Sequence, residues 1–175
     1  MSLANLNWGS VADWVSGLGS LAAAVVALYL GLASQRIRLK GYCGLRTIVG
    51  IGTQPREVVS ISITNIGSRS TVVNNLGLSV GRFNKKRHGI ITAMKDALSV
   101  GVPYPLGDGQ VGHWNIPLDA QKTWLKDLCG NFVTSDEDIE TLRFHVYTSH
   151  GATLTLNPED NLKKALQEIR NATPD

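Results

Sequence analysis

From Trp14 to Ser34 the chain reads WVSGLGSLAAAVVALYLGLAS, with no charged residue anywhere in it. Some twenty helical residues at about 1.5 Å each cover the roughly 30 Å hydrocarbon core of a bilayer. Trp8 and Trp14 precede the stretch, at the depth where amphipathic rings prefer the interface. Arg36, Arg38 and Lys40 follow it, with Arg46 a little further on. Basic residues on one flank alone place that flank in the cytoplasm. The expectation is a short extracytoplasmic N-terminus over residues 1–13, a membrane helix over 14–35, and a cytoplasmic domain over 41–172. The membrane would then be the inner one, crossed once with the N-terminus out.

Two other readings fit part of this pattern. A secretory signal sequence shares the apolar stretch and small residues such as Gly31 and Ala33, although the basic segment that normally opens one is missing. A buried core helix is the second. Residues 1–35 hold no Lys or Arg and one acid, Asp13, so all 17 bases and the other 13 acids lie from Arg36 onward, a balance of +4. So mild an excess does not argue for nucleic acid. Gly19, Ala23, Ala27 and Gly31 recur every fourth residue. Close backbone approach across small residues is what associates helices in lipid, so this stripe predicts self-association into a homo-oligomer.

Beyond Lys40 the apolar period changes to two. Val59, Ile61 and Ile63 alternate with Ser60, Ser62 and Thr64, which predicts a half-buried strand. Leu76, Leu78 and Val80 repeat the pattern, as do Leu142, Phe144 and Val146. Shorter strands are expected at Tyr42 to Val49, Ile90 to Ala93, Gln110 to Ile116 and Ala152 to Leu156. Turn residues punctuate them at Gly52 to Pro55, Asn65 to Ser68, Phe83 to Lys86, Pro103 to Gly109 and Ser149 to Gly151. The fold class is mainly β: an antiparallel sandwich or barrel with two peripheral helices. One helix is expected over Leu118 to Leu128. The other should be capped by Asn157, with Pro158 in its first turn and Leu162, Leu166 and Ile169 as its packing stripe.

The segment SISITNIGSRSTVVNNLGLSVGR, a strand ending in Thr-Asn-x-Gly and then a second strand, resembles immunoglobulin-like sandwich domains. The whole layout resembles small bacterial and phage single-span membrane proteins that carry such a domain. Immunoglobulin domains proper have a cysteine–tryptophan core signature that this chain lacks, and a barrel is the alternative.

No catalytic set is recognisable. His88, His113, His145 and His150 have no zinc spacing, and Cys43 and Cys129 form no CxxC pair and read as free, mostly buried thiols. No metal or cofactor is implied. His145 falls on the outer face of its strand as a solvated side chain. Asp136, Glu137, Asp138 and Glu140 read as a solvated turn or one helical turn. The electrostatic candidate is Arg82, Lys85, Lys86, Arg87 and His88, with Phe83 among them, on a connection between strands. Such a tip grips phosphates or anionic headgroups; equally, charge at a hairpin end keeps an edge soluble.

The residues therefore predict a membrane-anchored, non-enzymatic binding module that associates through its span and meets a protein partner. The alternative resembles effectors of bacterial antiphage signalling: an oligomer whose domain senses a small anionic ligand such as a cyclic nucleotide and perturbs the inner membrane.

Overall fold

The computed structural model describes residues 11–50, 54–82, 85–92, 94 and 96–172. Trp8, Gly52, Phe83, Ala93 and most of the expected N-terminal segment lie outside them. The chain divides into two compact units, Met1–Arg36 and Ile37–Asp175.

The first unit holds helix α1, Val11–Ser34. It starts three residues before Trp14, so Asp13 lies in its first turn, where a negative charge suits the helix dipole. Its large side chains, including Trp14, Leu18, Leu21, Val25, Leu28 and Leu32, are all exposed.

The second unit is mainly β. Strands β1 (Leu39–Ile48), β2 (Arg56–Asn65) and β6 (Val111–Pro117) form one antiparallel sheet, with β2 at its centre. Strands β3 (Thr71–Val80), β4 (Arg87–Ile90), β7 (Arg143–Thr148) and β8 (Thr153–Leu156) form another in the order β4-β3-β7-β8. The three-residue β5 (Tyr104–Leu106) pairs with the first part of β3. Among the described residues both sheets are open, which excludes the closed barrel. The expected turn over Pro103 to Gly109 thus contains a strand.

Period-two alternation builds a single core from both sheets. Across the first sheet Cys43, Ile61 and Trp114 lie in register, as do Leu45, Val59 and Ile116. Leu76, Leu78, Phe144 and Val146 of the second sheet join the same cluster. Each fully buried side chain of this size contributes about 1.5–3 kcal/mol. The strand at β2 differs from the half-buried expectation, because Ser60 and Ser62 on its other face are buried too.

Three helices rather than two accompany the sheets: α2 (Thr123–Asn131), α3 (Asp136–Thr141) and α4 (Asp160–Ala172). Helix α2 starts five residues after Leu118, where the Asp119 carboxylate accepts from both the Thr123 amide (2.7 Å) and its hydroxyl (2.6 Å). Helix α4 starts after Glu159 rather than at an Asn157 cap. Pro158 is held in an extended bridge to Cys43, and the Glu159 amide donates to the Cys43 carbonyl at 2.8 Å. Leu162, Ala165 and Leu166 deliver the expected stripe into the core. Both cysteines are free, Cys43 buried and Cys129 half-buried.

The Thr-Asn-x-Gly motif has a specific structural cause. Asn65 is fully buried, and its side-chain oxygen accepts from the Gly67 amide at 3.0 Å, closing the β2–β3 turn. Its amide nitrogen donates to the carbonyls of Arg69 (2.9 Å) and Leu106 (3.1 Å), tying that turn to β5.

Candidate functional site

The basic run Arg82 to His88 does not form one tip. Strand β4 begins inside it, at Arg87, and pairs with β3 so that Val80 faces Arg87 and Ser79 faces His88. Alternation then sends neighbouring side chains to opposite faces. Before the strand the chain turns at Gly81, whose φ of +88° and whose approach to Lys85 O, 2.5 Å from where a Cβ would sit, exclude any larger residue without strain.

On one face Arg87 reaches α3. Its Nη2 donates to Asp138 Oδ2 at 2.6 Å, and its guanidinium carbon lies 5.9 Å from the centroid of the Phe132 ring. Asp138 Oδ2 also accepts from the amide (3.0 Å) and hydroxyl (3.1 Å) of Thr134. Burial pushes the Asp138 carboxyl up, but the Thr134 bonds and the Arg87 guanidinium outweigh it and hold it below the usual carboxylate range. Arg82 lies 3.9 Å from Glu137, a loose and exposed pair. The acids expected in a solvated turn or one helical turn lie in the short helix α3, and one of them, Asp138, is a buried anchor. Its signal is present in the sequence as Ser135-x-x-Asp138: the Ser135 hydroxyl accepts from the Asp138 amide at 3.1 Å and caps α3. Between the β3–β4 turn and α3 opens a cleft of about 760 Å³, lined by Gly81, Arg82, Lys85, Arg87, Ser135 and Glu137.

On the opposite face His88 stands beside His145, with ring centroids 6.0 Å apart. His145 is not the solvated side chain the sequence suggests. It is half-buried, with Nε2 2.7 Å from Ser79 Oγ and Nδ1 3.2 Å from Thr155 Oγ1. Burial first, then the charges of His88 and Lys86, push its pKa below the usual histidine value. Lys85 and Lys86 are exposed, and neither ion-pairs with a described residue.

The other site residues divide between the two units. Gly19, Ala23, Ala27 and Gly31 lie on α1, with open space around the positions a Cβ would take at Gly19 and Gly31. Arg36 closes the first unit, and Arg38 and Lys40 belong to the second. The Arg38 carbonyl accepts from Ile66 at 2.8 Å, and Lys40 lies in β1 opposite Thr64. Among the described residues no group of three or more His, Cys, Asp or Glu is arranged to hold a metal ion. No protein-family model matches the sequence, and no curated protein matches it.

Proposed function

We propose that this chain is a single-pass protein of the bacterial inner membrane whose cytoplasmic domain, an immunoglobulin-like sandwich, is a non-enzymatic module for binding a partner protein. One observation carries the reading. The stretch Val11–Ala33 is long and apolar enough to cross a membrane, and none of it is buried against protein. In water each exposed Leu or Val of such a helix forgoes about 1.5–3 kcal/mol of burial. Lipid removes that cost, and a core helix would already have removed it by packing. Arg36, Arg38 and Lys40 after the span support a cytoplasmic domain, and the small-residue stripe supports association of spans.

A phosphatase active only outside the cytoplasm, fused after Asp175, tests the orientation. The reading expects no activity in a bacterial host; an active fusion contradicts it.

A second reading, the gated effector, is favoured by the cleft at Arg82, Lys85 and Arg87. Binding of cyclic dinucleotides to the full chain in nanodiscs tests it. Titratable binding that the Lys85→Glu, Lys86→Glu double variant abolishes would support it, and absence of any binding would remove it.

A further inference from the structure

An open sheet edge is a template for another strand, so natural domains cover, shorten or charge their edges. This domain covers two with its own chain. Along β1, the Asn161 side chain copies a strand partner: its oxygen accepts from the Leu45 amide (3.2 Å) and its nitrogen donates to the Leu45 carbonyl (3.0 Å). The Glu159 amide takes the Cys43 carbonyl on the same side. Along β6, the Val100 amide donates to His113 O at 2.9 Å. The Ser99 hydroxyl bonds both the amide (2.7 Å) and the carbonyl (3.0 Å) of Asn115. Strand β8 lies against β1, where Leu156 approaches the bare Gly41.

Strand β4 differs. The Ile91 amide donates to Leu76 O at 2.9 Å, which fixes the phase of the ladder. Bonded pairs alternate in an antiparallel ladder, so Arg87 and Gly89 bond β3 while the main chains of His88 and Ile90 point outward. No described residue forms a backbone bond to that outward side. A hollow flanks the edge on each face. On the face toward α2 it has about 220 Å³, floored by Gly89 and walled by Trp124, Leu128 and Phe132. On the other it has about 520 Å³, between Asn75, His88, Ile90 and Tyr147. Ile90 is 64% exposed. The unpaired Lys85 and Lys86 stand immediately before the strand.

We propose that β4 is a docking edge that takes an extended segment of a partner protein as an added strand. Its adjacent apolar side chains, pointing to opposite faces, would fill the two hollows, and acidic residues would lie beside Lys85 and Lys86. Main-chain bonds to His88 and Ile90 would supply affinity, and the hollows and lysines selectivity. A second copy of this chain would bring its own lysines rather than acids, so charge favours a different partner. This inference rests on the reading of the domain as a protein-binding module.

The test uses the full chain in nanodiscs and short random peptides displayed on phage, followed by binding of the enriched peptides made synthetically. Enriched peptides should carry adjacent apolar residues and end in acids, and their binding should slow hydrogen exchange at the His88 and Ile90 amides. Ile90→Pro removes the outward amide and leaves the bonds to β3; it should weaken binding by about tenfold, the equivalent of one or two hydrogen bonds. Lys85→Glu with Lys86→Glu should weaken it at low salt more than at high salt. Should Ile90→Pro perturb the fold, Ile90→Lys keeps the amide but places a charge between the hollows, and should also weaken binding. Three results overturn the proposal: no enrichment, peptides that bind all variants equally, or an Ile90→Cys chain that forms disulfide dimers across the edge. Flotation of the chain with vesicles reads anchoring separately, so a floating chain that selects no peptide overturns the docking edge alone.

Discussion

Asn65 ties three stretches of chain together through one fully buried side chain. Replacing it with Ala leaves the Gly67 amide and the Arg69 and Leu106 carbonyls without their partner in a buried site. That should cost about 2–4 kcal/mol, at roughly 1–3 kcal/mol for a buried polar group left unpaired. Asn65→Asp should cost at least as much, since it keeps the acceptor, loses both donated bonds and buries a charge; chemical denaturation measures both. A variant Asp as stable as wild type would contradict the hub. His145 adds a pH dependence. Its pKa is lowered in the folded state, so the unfolded chain takes up a proton first. The stability it contributes is present above its ordinary value of about 6.5 and is lost as pH falls below it. Thermal unfolding between pH 7.5 and pH 5 should therefore show wild type losing more stability than His145→Gln; equal losses would contradict the assignment. The sequence put His145 on the outer face from alternation alone. Its partner Ser79 lies 66 residues away, beyond the reach of any local pattern.

Among elements, those with strong alternation were legible: β2, β3 and β7 follow the apolar residues that predict them. Strand β5 was not, because Pro103, Pro105 and Gly107 carry the composition of a turn, and only pairing with β3 makes Tyr104–Leu106 a strand. The start of α4 was misplaced for a related reason. Asn157-Pro158 has the form of a helix start, but Glu159 and Asn161 are engaged in covering β1, and that tertiary demand moves the start to Asp160. Asn161→Ala should accordingly weaken the β1 edge as well as the helix, with faster hydrogen exchange at Leu45 as the specific sign. Unchanged exchange there would show that the edge needs no such cover. The basic run was visible, but its division between two faces was not, since β4 begins within it and the anchor Asp138 lies 51 residues beyond Arg87. On α1, Ala23→Ile with Ala27→Ile should separate spans that pack along the small-residue stripe, and Val25→Ile should not. Analytical ultracentrifugation in detergent reads the difference, and a wild type that is monomeric at every concentration would contradict the association.

At the scale of the whole molecule, a chain whose bases all lie from Arg36 onward divides into two units directly after that residue. One unit is an apolar helix with its side chains exposed; the other buries its own core and covers two of its own edges. On the proposed reading this is the division of labour of a tethered binding domain, with the helix supplying place and the domain supplying recognition. A signal sequence would share the apolar helix but would be removed, leaving a shortened chain beginning near the end of α1. Alkaline carbonate extraction of membranes from cells making the chain, followed by mass spectrometry of the retained protein, separates the two. The account predicts that the chain stays in the membrane pellet at its full 175-residue mass; a chain released to the supernatant, or one shortened by loss of α1, would contradict it.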